Sequence, residues 1–112
     1  MQSQPVPSVD EHDVDRVVAR DYSADEAAEV RRQFARLGLE SGPRVRLAIL
    51  KLAAGDLERL ADHIEVANTD WRDVIAAAEY PSAFRLPFSA PAGARQSAYD
   101  ADWEQYQAWL GR

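Results

Sequence analysis

Ser23-Ala24-Asp25-Glu26-Ala27-Ala28-Glu29-Val30-Arg31-Arg32-Gln33-Phe34-Ala35-Arg36-Leu37-Gly38 reads as one helix, from its first cap to its last turn. Ser23 and Glu26 have the spacing of a capping box: the hydroxyl accepts from the amide three residues on, and the glutamate reaches back. Ala27, Val30, Phe34 and Leu37 recur at helical spacing and share one face. Gly38 stands where a left-handed residue is favoured after a helix. The pattern predicts a helix over 24–37, and the same grammar extends in both directions.

Downstream, Gly42-Pro43 restarts the pattern, with Pro43 suited to a first helical position. Val45, Ala48, Ile49, Leu52 and Ala53 form an apolar stripe, and Gly55 ends it. Asp56 can cap the next helix, whose seam is Leu57, Leu60, Ile64 and Ala67. Asn68-Thr69 breaks that helix. Thr69 or Asp70 then caps another, holding Trp71, Val74, Ile75 and Ala78. Pro81 stops it, because the residue before a proline is pushed away from helix. Upstream, Val14, Val17 and Val18 share a face of a short helix over 10–20, although valine is a poor helix former. Residues 1–9 read as a flexible leader.

The segment 82–96 breaks the rule. Pro87, Pro91 and Gly93 interrupt it, while Phe84, Leu86 and Phe88 alternate. Alternation in an extended chain puts side chains on one side, so the expectation is an apolar strap lying across the helices. Ser97 then caps a final helix over about 97–110, with Tyr99, Trp103, Tyr106 and Leu110 on one stripe. The expected fold is all-α. It is a small bundle of four to five helices over residues 10–112, with an extended Pro-containing strap and a C-terminal amphipathic helix.

Two stretches carry a resemblance: Arg44-Val45-Arg46-Leu47-Ala48-Ile49-Leu50-Lys51-Leu52-Ala53-Ala54-Gly55-Asp56-Leu57, and Asp70-Trp71-Arg72-Asp73-Val74-Ile75-Ala76-Ala77-Ala78-Glu79-Tyr80-Pro81. They resemble a group of short bacterial helical proteins to which no activity attaches. The resemblance covers about 42–81. It implies a bacterial origin and a helical core, and it transfers no residue role.

The 112 residues carry a net charge of −6 and no cysteine. Disulfides, thiol nucleophiles and thiolate metal sites are thereby excluded. The polar, acidic start lacks the pattern of a secretory signal, and no apolar run approaches the roughly 18 residues of a membrane span. The expected location is the cytoplasm. Charge is distributed in blocks. Residues 1–29 carry eight acids and two bases, a balance of −6. Residues 30–54 carry six bases and one acid, a balance of +5, and residues 55–81 carry seven acids and two bases, a balance of −5. The last 31 residues balance at zero. Each block reads as a solvated helix face; side-by-side packing with charge complementarity is the alternative.

No catalytic residue, cofactor or metal site is expected. His12 lies among Asp10, Glu11, Asp13 and Asp15 without the spacing of a calcium loop. His63 lacks a second histidine at i±4 and so lacks the paired ligands of a helical zinc site. Asp70 and Asp73 lie one turn apart, as carboxylates in acid–base catalysis can, yet acids at a helix start are explained by the helix dipole. Glu79-Tyr80-Pro81 reads as a helix end. An enzyme would need a deep pocket joining His63 to carboxylates.

A helix-turn-helix unit is a competing reading, with helices over about 56–67 and 70–79. Its recognition helix would present Asp70, Asp73, Ala76, Ala77 and Glu79, with Arg72 the only base. DNA-reading helices offer Arg, Lys, Asn or Gln instead, so nucleic acid is not the expected partner. A basic face built from Arg31, Arg32, Arg36, Arg44, Arg46 and Lys51 would reverse that. Six of the ten aromatics fall in the last 31 residues, which makes Tyr99, Trp103, Tyr106 and Trp109 the candidate partner-binding residues. Trp and Tyr are common interface anchors, and Trp109, off the stripe, is the candidate exposed anchor. Core closure is the competing role for this stripe. The reading is a non-enzymatic interaction or regulatory module that engages a protein partner or forms a homodimer.

Overall fold

A computed structural model describes residues 6–38 and 42–112 and contains only helices and connecting turns among them. The elements are α1 (Glu11–Asp21), α2 (Ala24–Phe34), α3 (Pro43–Ala53), α4 (Leu57–Glu79), α5 (Pro81–Arg85) and α6 (Ala92–Leu110). The all-α expectation holds, with six helices among the described residues rather than four to five.

Central position makes α3 the keystone. Val45, Leu47, Ala48, Ile49, Leu50 and Ala53 are all buried, so the expected stripe is too narrow and the helix is covered nearly all round, as interior helices are. It packs along α4, with α1 against its other side. Ala54 closes it in the left-handed conformation and Gly55 follows at φ 82°. A Cβ on Gly55 would lie 3.2 Å from the Asp21 carbonyl oxygen, so the α1–α3 approach needs glycine there.

Local caps explain the first two helices. Asp10 accepts from the Asp13 amide and Asp13 from the Asp10 amide, and Ser23 and Glu26 do the same for α2. Val14, Val17 and Val18 are buried as expected. Two boundaries differ from expectation. The last turn of α2 tightens, with Arg36 donating to the Gln33 carbonyl and Leu37 to that of Phe34. The end is clamped by Asn68, which accepts from the Gly38 amide and donates to the Arg36 carbonyl. Of the expected leader, residues 1–5 lie outside the described residues. Pro7 is buried and Val9 packs against the core, so those two positions belong to the folded unit.

A single residue, Asp70 (φ −154°, ψ 99°), leaves helical geometry inside α4. Its carboxylate accepts from the Arg72 amide, restarting the helix as an N-cap would. A helix-turn-helix joins its helices through a turn of three to four residues, and one kinked residue is not that turn. Leu60, Ile64, Ala67, Val74, Ile75 and Ala78 are buried as the spacing predicts. Trp71 is a correction to the core list: it is 44% exposed. Ala76 and Glu79, expected outward on a recognition helix, are buried.

The strap is corrected too. Tyr80 breaks α4, but Pro81 starts α5 rather than only ending its neighbour. Buried Asp102 on α6 accepts from the Ser82 and Ala83 amides, which caps α5 from across the fold. Only residues 86–91 are non-helical before α6, which begins at Ala92 rather than Ser97. The buried face of α6 is Asp102, Tyr106, Trp109 and Leu110, a rotation from the expected stripe. Its first half, with α5, forms an elbow at the edge of the molecule.

Candidate functional site

The elbow is held open by its own hydrogen bonds. The Ala90 amide and the Arg95 guanidinium both donate to the Pro87 carbonyl. That turn projects Phe88 wholly into solvent, at 106% relative exposure, and leaves Phe84 60% exposed on α5. Between them lies a groove of about 290 Å³, lined by Tyr80, Phe84, Leu86, Phe88, Arg95 and Tyr99. Tyr80 and Tyr99 meet edge to face at 5.9 Å, which stiffens the groove floor. The alternating Phe84, Leu86 and Phe88 do not lie inward across the helices. Phe84 and Phe88 are exposed and Leu86 is half-buried, so this segment does not close the core.

Of the four candidate partner-binding residues, Tyr99 lines this groove and Trp103 is half-buried. Tyr106 and Trp109 lie in the core. Trp109 as an exposed anchor is therefore corrected, since it is only 7% exposed. The cause is α1. The Arg20 guanidinium lies 5.3 Å from the Trp109 ring centre and donates to the Trp109 carbonyl at 2.8 Å. Tyr106 packs on the other side, with ring centres 5.4 Å apart. Phe84 and Phe88 carry the exposed aromatic surface that Trp109 was expected to carry.

The charge blocks pair across helices. Arg31 meets Asp15, Arg36 meets Glu65, Arg44 meets Glu79 and Arg46 meets Glu11, while Arg32 pairs with Glu29 inside α2. Arg31, Arg32 and Arg36 keep 61%, 74% and 55% side-chain exposure in these pairs, so pairing and solvation hold together on these faces. Among the described residues, five of the six cations expected for a DNA face pair with carboxylates, and Lys51 does not. Arg44 grips Glu79 with two bonds, of 2.8 and 2.7 Å. Glu79 is buried, and the hydrogen bonds to it hold the Arg44 guanidinium above its ordinary range. Glu79 closes α4 and also anchors α3.

The acid–base candidates do not assemble. His12 is exposed, and Asp10 and Asp13 are spent on the α1 cap. Among the described residues no group of three or more His, Asp or Glu is placed to hold a metal ion. His63 is half-buried, and burial lowers its pKa. Among the described residues it lines neither the elbow groove, nor a cleft at α1–α2–α3, nor one at the ends of α1, α3 and α6. The Arg72 guanidinium holds the half-buried Asp70 carboxyl below its usual range, and Asp73 stands exposed beside it. No helix among the described residues is long and apolar enough to cross a membrane. No protein-family model, curated protein or solved structure matches the chain.

Proposed function

We propose that this chain is a small, non-enzymatic interaction module of a bacterial cytoplasm, and that it self-associates through the elbow groove. The observation that carries the reading is Phe88, wholly exposed beside a groove lined by Tyr80, Phe84 and Tyr99. A projecting aromatic next to an aromatic groove is self-complementary. Two copies related by a two-fold axis can each place Phe88 in the other's groove, the arrangement of an isologous dimer. Charge favours the same face. Residues 82–112 balance at zero, whereas the chain as a whole carries −6, so the elbow is where two copies meet with least repulsion.

The patch is small. Aromatics bury about 150–250 Å² each, against about 800 Å² per partner in a standard stable interface. The dimer is therefore of the weak, transient class. Catalysis and nucleic-acid binding form no part of this proposal: among the described residues, the arginines of the 30–54 block are paired with carboxylates. Sedimentation equilibrium over a concentration series tests the reading. The wild-type chain is expected to pass from monomer to dimer, and Phe88→Ser to stay monomeric. A wild-type chain that stays monomeric at millimolar concentration, or a Phe88→Ser variant that dimerises equally, overturns it.

A further inference from the structure

A second cleft, of about 720 Å³, lies where three helices end together: α1 at Asp21, α3 at Ala53 and α6 at Leu110. Its charged and polar lining is Arg20, Asp21, Lys51, Gln105 and Arg112. Helix C-termini carry partial negative charge, and cations there often serve only to offset it. Arg20 is one such cation, set at the ends of α1 and α6. Arg20 is engaged by the Asp21 carboxylate at 2.8 and 3.2 Å and by the Trp109 carbonyl. The Leu50 carbonyl takes the Ala54 amide, the Ala53 carbonyl the Asp56 amide, and the Gln107 carbonyl the Gly111 amide. Asp102, whose charge acts on Lys51, already accepts from the Ser82 and Ala83 amides.

That accounting leaves Lys51. It forms no ion pair among the described residues, and it is half-buried. The Arg112 guanidinium lines the same space, and its charge adds to that of Lys51. With Arg20 and Asp21 cancelling, the side chains of the cleft sum to +2 in a chain of net −6. Trp109 and Ala108 supply an apolar wall, and Gln105 a neutral donor. A volume of this size falls within the range of small-molecule sites and exceeds what a bare inorganic anion fills.

We propose that this cleft binds a small organic phosphate, its phosphoryl group held by Lys51 and Arg112 and its body resting on Ala108 and the exposed rim of Trp109. The site is separate from the elbow groove, sharing no lining residue with it. Burial lowers the Lys51 pKa, so a bound anion would restore the charge balance that burial disturbs.

Titration with ribose 5-phosphate, followed by ¹H–¹⁵N spectra of the indole groups, tests the proposal. The Trp109 indole signal is expected to shift and saturate. The Trp71 signal, on the exposed face of α4, should stay in place, and sodium chloride at matched ionic strength should move neither. Lys51→Met is expected to weaken binding at least about tenfold, the equivalent of about 1.4 kcal/mol, while Lys51→Arg retains most of it. Thermal melts of both variants separate loss of the site from loss of the fold. If Lys51→Met melts early, an Arg112→Gln variant carries the test, with a smaller weakening expected. Absence of a saturable Trp109 shift, an equal response to chloride, or undiminished binding in folded Lys51→Met and Arg112→Gln overturns the proposal.

Discussion

The α1–α4 bundle and the α5–α6 elbow solve opposite problems. In the bundle most large apolar side chains are buried, Val66 and Trp71 being exposed, and four of the arginines of the basic block pair with acids of neighbouring helices. At the elbow two phenylalanines stand in solvent while two backbone amides are capped by a buried aspartate. The bundle hides its apolar groups and neutralises its charge; the elbow spends polar groups to hold apolar ones outside. The difference teaches where to look for contact. Surface ion pairs are each worth little, and the proposed contact lies instead at the aromatic edge.

Four changes break or sharpen this contrast, and the first two attack its anchored side. Trp109 is where the C-terminal half of α6 joins the bundle, under Arg20 and against Tyr106. Trp109→Ala is expected to cost about 3–5 kcal/mol, the range for large aromatic truncation in a core. Urea denaturation checks this, and a cost under about 1 kcal/mol would mean that the tryptophan is not core. Next, Arg44→Leu strands the buried Glu79 carboxylate. Removing one partner of a buried pair costs about 3–5 kcal/mol. Because Arg44 keeps 30% side-chain exposure, the lower end is expected, measured as a fall in melting temperature.

A pH titration sharpens the account of the core. Burial, followed by the charges of Asp21 and Asp56, pushes the Tyr22 phenol up to about 12. The folded state therefore disfavours the phenolate. Its stabilising contribution is complete below the unfolded value near 10 and is lost as pH rises from there through about 12. Wild-type stability should fall across that window, and Tyr22→Phe should flatten the fall. Equal slopes for the two proteins would show that Tyr22 is hydrated in the fold. The smallest effect belongs to the elbow. Phe88→Ser should change monomer stability by no more than about 0.5 kcal/mol, as exposed substitutions do, even while it abolishes association. A large loss of stability there would place Phe88 in the core and erase the contrast.

What the sequence made legible follows the range of the interactions. The capping box at Ser23–Glu26 acts over three residues. The valine face of α1 and the Leu60–Ile64–Ala67 seam also declare themselves locally, as apolar periodicity does. The misread parts are governed by distant partners. Asp102 caps α5 from about twenty residues away, which turns an expected extended strap into a helix. Arg20 reaches Trp109 across 89 positions of sequence and covers the residue expected to be exposed. Arg44 and Glu79, 35 apart, look like two surface charges until the fold joins them. The candidate site was half legible: Tyr99 and the Phe84–Leu86–Phe88 phrase were visible, but their outward presentation depends on the remote α5 cap. The charge blocks gave the fairest warning, since −6, +5 and −5 in succession is a pattern that cross-helix pairing explains.

The contrast itself is tested most directly by dilution. Backbone ¹H–¹⁵N spectra recorded from millimolar to low micromolar concentration report every residue at once. The account predicts concentration-dependent shifts confined to Phe84–Tyr99 and their immediate neighbours, with α1, α2 and α3 unchanged. Shifts absent at every concentration, or centred on the paired arginines of α2 and α3, would contradict it.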